Sequence, residues 1–374
     1  MATEKSTYGV SLVIAIGAII ANLIGSGFAT GQEIMQHAGA FGFGGIAGLA
    51  ITFVLFALCG VTIMTDAKKN GITDTKELFT FYCGRHIAVF LTYAMPFILY
   101  FFFIAMLSGA GAALSQYYGV PYIVGRTAMA IIAILTVMLG FSKTIEIIGH
   151  IGPVIIIFVI AIVLSACFSS GGISYGEGSK ILRNHTEIYR AGPTFWWCGF
   201  LYAAEQVAFG IIFYAKLGAS MRSAKNAGIA AIVGCGSYVL VGMLLCLAFM
   251  RHADTLATVD VPMLVLANNI SPLVGAAFAV ILTLGIYTTA TPLLWISVNT
   301  FAEDGTKKAK ILSVVLGLLA LAISYLPYQL VVNIVWPLSG YIGIFAMLGV
   351  LWSLVWRKIS AHAETKENEG TAVS

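Results

Sequence analysis

Long apolar runs, separated by short polar or turn-rich segments, recur along the chain from Tyr8 almost to Trp356. A helix needs about 20 residues to cross the roughly 30 Å hydrocarbon core of a bilayer. The runs are continuous rather than alternating, which favours spanning helices over the strands of a barrel. The pattern predicts ten spans, at residues 8–36, 43–65, 87–115, 123–141, 145–168, 193–217, 227–250, 273–300, 311–328 and 330–356.

The composition agrees with a chain that lies mostly in lipid. Of the 374 residues, 59% are hydrophobic and 10% are charged, and the mean hydropathy is +0.95. Soluble domains carry about 25% charged residues. The fold class is therefore predicted to be an all-α polytopic membrane protein. The six cysteines and six histidines are scattered, which argues against a disulfide framework or a metal cluster.

The positive charges orient the spans. Ten spans place both termini on one side of the membrane, and fifteen of the twenty lysines and arginines then fall on that side. The other five fall opposite, at Arg126, Lys180, Arg183, Arg190 and Arg251. Since cytoplasmic loops carry the excess of positive charge, both termini are expected to be cytoplasmic.

The spans divide into two groups of five, so the second group enters the membrane from the opposite side to the first. This is the arrangement of an inverted repeat. We predict a first repeat at 1–168, an extracellular loop at 169–192, a second repeat at 193–356 and a cytoplasmic tail at 357–374. In inverted repeats the binding site is marked by interrupted helices at corresponding positions. Spans one and six are therefore the places to search.

Span one contains two glycines, Gly25 and Gly27, on either side of Ser26, near the bilayer centre. Glycine tolerates unwound backbone. Unwinding frees N–H and C=O groups that are costly in lipid unless a ligand satisfies them, and free N–H groups at the start of a half-helix bind anions. The alternative is close helix packing through small residues. The spacing leaves both interpretations open.

Span six carries an acid, Glu205, twelve residues after Pro193, which is roughly 18 Å along a helix and close to the midplane. An ionisable residue at that depth is a functional hypothesis: an ion ligand, a proton carrier or the partner of a substrate ammonium. A structural acid that is hydrogen-bonded to unwound backbone is the alternative. The nearby aromatic residues Phe200 and Tyr202 serve either as gates or as packing.

Span eight has a hydroxyl cluster, with Thr288 and Thr289 following Gly285 and preceding Pro292. Two adjacent hydroxyls and backbone carbonyls can bind sodium, because hard cations take oxygen ligands. Hydroxyls in a helix also bond back to carbonyls of the preceding turn, which is the structural alternative.

Residues 24–28, Ile-Gly-Ser-Gly-Phe, resemble the first-helix signature of the amino acid–polyamine–organocation superfamily. Residues 200–205 are similar to its sixth-helix pattern of aromatic and small residues that ends in glutamate. The string at 25–36 looks closest to the YkvI-type amino acid permeases, a bacterial group. The resemblance implies the LeuT-type fold, with ten helices in a five-plus-five inverted repeat, broken helices one and six, and a place in the bacterial cytoplasmic membrane.

The resemblance also implies roles for individual residues. The amides around Ser26 and Gly27 would hold a substrate carboxylate, and Glu205 would organise the break in helix six. Tyr100 matches a gating aromatic. The complete set expected at the substrate site is Asn22, Gly25, Ser26, Gly27, Tyr100, Phe200, Tyr202 and Glu205.

A sodium site follows from the same comparison. Its expected ligands are the carbonyls of Ala21, Ile24 and Gly285 and the hydroxyls of Thr288 and Thr289. Some sodium-independent relatives replace the ion by a lysine in helix five. Here the only lysine of that helix is Lys143, at its cytoplasmic start, which favours sodium.

The sequence thus predicts a secondary active transporter that imports an amino acid or similar small zwitterion by alternating access, coupled to a cation, with sodium favoured over a proton. Organic cofactors and nucleic-acid partners are not expected. An enzyme is not expected either, because the sequence has no credible paired-acid, Ser/His or metal constellation. The alternative is a non-transporting membrane sensor with a transporter-like pocket.

Overall fold

A computed structural model describes residues 10–72, 74–139, 152–169 and 171–372, with side chains described as far as Val355 except at 152–153. The described residues form helices and no strand. Seven of the helices are long and apolar enough to cross a membrane, and two shorter apolar helices accompany them. The prediction of an all-α polytopic membrane protein is confirmed.

A helix lies in each of the ten predicted spans. The first span contains three helices: α1 (Leu12–Leu23), α2 (Ser26–Thr30) and α3 (Gln32–His37). Each of the other nine spans contains one helix, in order α4 (Phe43–Asn70), α5 (Thr75–Tyr118), α6 (Tyr122–Leu139), α7 (Gly152–Phe168), α9 (Phe195–Ser220), α10 (Ala224–Arg251), α13 (Pro272–Asn299), α14 (Lys307–Ile323) and α15 (Tyr328–Ala372). The connecting segments contain α8 (Tyr175–Asn184), α11 (Ala253–Leu256) and α12 (Pro262–Ile270). The end of the fourth predicted span and the start of the fifth, with Lys143, lie outside the described residues.

Helix α5 begins at Thr75, before the predicted start of the third span at residue 87. Asp74 caps the start of α5, where its carboxylate accepts the N–H groups of Lys76 and Glu77. At Gly84 the backbone leaves the helical region, with φ 73° and ψ 168°, a conformation that favours glycine. The direction of the chain therefore changes there, close to the predicted start of the span at residue 87.

Helix α9 lies at the centre of the molecule. In its most apolar stretch 78% of the residues are buried, against 33–50% in the other six long spans. Its closest neighbour is α4, and we call their contact the α4–α9 seam. A Cβ atom on Gly48 would lie 2.6 Å from the Phe195 carbonyl oxygen, and one on Gly199 would overlap the Gly48 carbonyl. Thr52 also donates across the seam to the Gly199 carbonyl at 2.9 Å. Small residues thus bring these two backbones together.

The predicted break in span one is present, and it is double. Helix α1 ends at Leu23, Gly25 is extended with φ −88° and ψ −172°, and the five-residue α2 follows. A second break comes at Gly31, which takes the left-handed conformation with φ 81°, a region that L side chains rarely adopt. Gly25 was the expected point of interruption, and Gly31 adds another.

The predicted break in span six is corrected by the structure. Helix α9 runs without interruption from Phe195 to Ser220 and carries Glu205 in its interior. The residues between Gly199 and Gly210 include no glycine or proline, and alanine, leucine, glutamate and glutamine there all favour a helix. Side chains of neighbouring helices, rather than unwound backbone, surround the buried acid. An acid at mid-membrane depth therefore does not by itself require a broken helix.

Candidate substrate and ion site

A cavity of about 140 Å³ lies where span one is broken. The backbone around the first break forms one part of its wall, and α3, α5, α9, α13 and α15 supply the rest. It is lined by Asn22, Leu23, Gly25, Ser26, Gly27, Phe28, Glu33, Phe102, Met106, Glu205, Gln206, Phe209, Thr289 and Trp336. Asn22 is exposed, whereas Glu33 and Trp336 are buried. The cavity is thus closed on the side of Glu33 and open on the side of Asn22.

One wall of the cavity presents backbone amides. Ser26, Gly27 and Phe28 are the first residues of α2, and the first N–H groups of a helix have no partner within it. No side chain caps them at Gly25. The Ser26 hydroxyl is buried and donates to the Met106 sulfur at 3.0 Å. The N–H groups at the start of α2 thus have no side-chain cap at this break.

The adjoining wall contains two buried carboxyl groups. Glu33 of α3 is 6% exposed, and Glu205 of α9 is 1% exposed. The Gln206 side-chain amide lies between them, 3.5 Å from Glu33 Oε1 and 3.4 Å from Glu205 Oε1. A Cβ atom on Gly27 would lie 2.8 Å from Glu33 Oε2. The amides of α2 and the acid pair are thus next to each other.

The two acids have different surroundings. Tyr202 donates to Glu33 Oε1 at 2.5 Å, and Tyr238 of α10 lies 3.1 Å from the same oxygen. The two tyrosine hydroxyls also contact each other. Glu205 Oε2, in contrast, has no hydrogen-bond partner and faces the Nε2 atom of His37 at 3.5 Å. Glu33 is therefore well supplied with donors and Glu205 is not.

The hydroxyl cluster of α13 faces the first break. The Thr289 hydroxyl lies 4.0 Å from the position of a Cβ atom on Gly25. Thr288 and Thr289 donate to the Gly285 carbonyl at 2.8 Å and 3.2 Å. The structural alternative of back-bonding is thus present in the structure. It leaves the hydroxyl lone pairs available to a cation.

Some of the predicted substrate and sodium residues line the cavity and others do not. Those at the cavity are Asn22, Gly25, Ser26, Gly27 and Glu205, and of the predicted sodium ligands Thr289 also lines it. The predicted ligands outside its lining are Ala21, Ile24, Gly285 and Thr288.

Three predicted aromatic residues do not line the cavity. The Tyr100 hydroxyl donates to the Leu316 carbonyl at 2.8 Å, which holds the ring against α14. Phe200 stacks on Trp197 with ring centroids 5.6 Å apart. Tyr202 lies behind Glu33 and supports it. Phe102, Phe209 and Trp336 form the aromatic wall instead, with Phe102 edge-on to both other rings at 4.4 Å and 4.5 Å.

Sequence reasoning missed Glu33 and His37. Both lie in or next to span one, so the rule that identified Glu205, that an ionisable residue within a span is a functional candidate, applies to them equally. Their partners on α9 are at least 168 residues away in the sequence, so no local sequence pattern indicates these contacts. Across the described ranges, no three His, Cys, Asp or Glu side chains are grouped as a metal site.

The broken first span and the presence of a helix in each of the ten predicted spans are features of the LeuT-type fold, and comparisons with known proteins agree. The chain resembles MhsT in complex with L-phenylalanine, with a TM-score of 0.51, 16% identity, and 90% of this chain and 88% of MhsT covered. It also resembles the manganese transporter of Eremococcus coleocola, with a TM-score of 0.55, 12% identity and coverages of 95% and 80%. At 16% and 12% identity, both likenesses are of the fold.

Two proteins of Bacillus subtilis (strain 168) are similar in sequence. The uncharacterized membrane protein YkvI is 26% identical over 144 residues, 38% of this chain and 42% of YkvI, so this match spans less than half of that relative. The uncharacterized protein YyaD is 22% identical over 337 residues, 89% of this chain and 94% of YyaD. No protein-family model matches the chain. The resemblance to YkvI-type proteins is confirmed.

Proposed function

We propose that the protein is a secondary active transporter that imports an amino acid or a similar small zwitterion by cation-coupled alternating access, with sodium as the favoured cation. The observation that carries this proposal is the cavity of about 140 Å³, which has free amides on one wall and two buried acids on the other. A zwitterion carries a carboxylate and an ammonium close together, so it complements both walls. We further propose that the protein lies in a bacterial cytoplasmic membrane with both termini inside.

The amides at the start of α2 would bind the substrate carboxylate. Backbone N–H groups at a helix start point outward and favour an anion. In the dry interior of a membrane protein these groups must find a partner, and a substrate carboxylate supplies it. Gly27 matters here because the absence of a side chain lets a ligand approach the backbone.

The acid wall would bind the substrate ammonium. Tyr202 donates to Glu33 Oε1, and a Cβ atom on Gly27 would lie 2.8 Å from Oε2, so Oε2 is the oxygen nearest to a ligand held by the amides. The aromatic wall of Phe102, Phe209 and Trp336 supports a substrate with an apolar side chain. The L-phenylalanine of MhsT is a ligand of this chemical class.

The sodium ion would bind between α13 and the end of α1. The carbonyls of the last turn of α1 lose their helical partners at the break, and the Thr289 hydroxyl faces that break across Gly25. Carbonyl and hydroxyl oxygens are the ligands that hard cations take. An ion at this position would fix the two helices relative to each other before the substrate binds.

Two measurements test the proposal. Thermal unfolding of the purified protein is first followed with each amino acid, with and without sodium. The amino acids that stabilise it are then offered to proteoliposomes under an inward sodium gradient. We expect accumulation of at least one of them. Binding without flux under sodium or proton gradients would contradict transport and would support the membrane sensor.

A further inference from the structure

The contact between His37 and Glu205 has chemistry that the proposed function does not use. His37 Nε2 and Glu205 Oε2 lie 3.5 Å apart, both side chains are 1% exposed, and neither atom has a hydrogen-bond partner. Buried polar atoms almost always have partners. Two such atoms that face each other therefore call for an explanation.

The other nitrogen of His37 decides which atom can carry a proton. His37 Nδ1 lies 3.0 Å from the backbone carbonyl oxygen of Glu33. A carbonyl only accepts, so Nδ1 must be the donor. In the neutral ring Nε2 then has a lone pair and no proton. An ionised Glu205 would place a second lone pair opposite it, and the contact would be repulsive.

A single added proton turns this contact into a hydrogen bond. The proton resides either on Glu205 Oε2, which donates to Nε2, or on Nε2, which donates to the carboxylate. A sodium ion would not bind between these two atoms, because it requires several oxygen ligands and this contact offers one oxygen and one nitrogen. A substrate ammonium in the cavity would not lie between these two atoms either, since His37 is not part of the cavity wall.

The groups around the pair favour Glu205 over Glu33 as the proton holder. The titratable groups that face it are Glu33 from α3, Tyr202 from α9 and Tyr238 from α10, and α15 contributes the ring of Trp336. The Tyr202 ring packs on His37 at 4.7 Å. The two tyrosines and the Gln206 amide give Glu33 the donors that a carboxylate needs. Among the described residues, no lysine or arginine lies within 4 Å of either acid.

We infer that Glu205 and His37 hold one exchangeable proton between them at the cavity, and that this proton is a coupling ion of transport in addition to the cation at α13. The second half of this statement rests on the proposed function. Glu205 lines the cavity, so its proton is held where binding of a substrate ammonium changes the local charge. Loading and release of the proton would then be linked to substrate binding.

Infrared difference spectroscopy tests the proton site without any need for transport. The purified full-length protein is titrated between about pH 5 and pH 8, the range in which histidine pairs commonly change charge. We expect a carbonyl band of a protonated carboxylic acid that titrates in wild type, is absent in Glu205→Gln and titrates at a different pH in His37→Gln. Glu187→Gln and His86→Gln change exposed residues and should leave the band unchanged.

A flux measurement tests the coupling. Proteoliposomes that enclose a pH dye receive a substrate identified by the thermal screen, at zero sodium gradient. Wild type should acidify the lumen as the substrate enters, and both site variants should lose this proton movement. Circular dichroism and thermal unfolding establish that the variants fold.

The outcomes separate the two proposals. A wild-type spectrum in which neither a carboxyl band nor an imidazole band titrates, or a titrating band that persists in Glu205→Gln, overturns the proton site. Sodium-driven substrate uptake without proton movement overturns the coupling and leaves the proposed function in place. A band that depends on both residues in a protein that moves no substrate supports the proton site and overturns the proposed function.

Discussion

Spans one and six meet at the cavity, and they are built in opposite ways. Span one is interrupted twice, at Gly25 and Gly31, and offers its backbone to the cavity. Span six is one continuous helix that offers side chains, above all Glu205 and Gln206. The comparison shows two ways to place polar groups at one cavity, by breaking a helix or by burying an acid within a continuous helix. Each solution makes its own experimental prediction.

The largest expected contrast is in hydrogen exchange. Amides of residues 25–28 lack helical partners, whereas those of 203–207 lie inside α9. The first set should exchange at least 100-fold faster, equivalent to about 3 kcal/mol of opening free energy. Exchange measured by mass spectrometry on the protein in lipid nanodiscs checks this. Equal rates in the two segments would remove the distinction between them.

Gly27→Ala should have the largest effect of the single substitutions. The added methyl would lie 2.8 Å from Glu33 Oε2 and 2.9 Å from Trp336 Cζ2. Overpacking of this kind costs about 1–3 kcal/mol, and here it also blocks the amide wall. We expect loss of the substrate-induced rise in thermal stability. Gly17→Ala in α1 is the control, since a Cβ there meets nothing within 4 Å; similar behaviour of the two variants would contradict the prediction.

Glu205→Gln tests the contribution of span six. The change keeps the shape of the side chain and removes its charge, so substrate uptake should fall at least tenfold, which is about 1.4 kcal/mol. Initial rates in proteoliposomes measure the effect, with Glu187→Gln as the matched change at an exposed acid. Near wild-type uptake with unaltered cation dependence would assign Glu205 a purely structural role.

Thr289→Ala should have the smallest effect. It removes one hydroxyl ligand of the expected sodium site, so the sodium concentration for half-maximal uptake should rise by about three- to tenfold, roughly 1 kcal/mol. Thr283→Ala is a close control in the same helix, because Thr283 makes the same type of bond to a carbonyl one turn earlier. An identical sodium response in the two variants would remove the proposed site.

The spans and the first break were predictable because they depend on local properties. A run of about 20 apolar residues has few alternatives to a membrane helix, and Gly25-Ser26-Gly27 has little reason to stay helical. The division into two repeats stays a prediction. The second break at Gly31 was not identified, although a glycine followed by the polar residues Gln32 and Glu33 is a comparable signal.

The acid cluster could not be assembled from the sequence. Glu33, His37, Glu205 and Tyr238 come from three helices, and their contacts depend on how those helices pack. The family resemblance implied that Glu205 organises a break in span six. The structure shows that amide and imidazole side chains can occupy the space around such an acid while the helix stays intact.

The α4–α9 seam has a consequence for movement. Two backbones in contact through Gly48 and Gly199, with the Thr52 bond between them, cannot slide apart without opening a void in their packing. Helices α4 and α9 are therefore expected to move together as one rigid body. Gly25 and Gly31, where the backbone already leaves the helix, are the natural pivots. When the closed side of the cavity opens, the short segment α2–α3, with Glu33 and His37, would then move away from Glu205, which stays in place on the rigid α4–α9 pair.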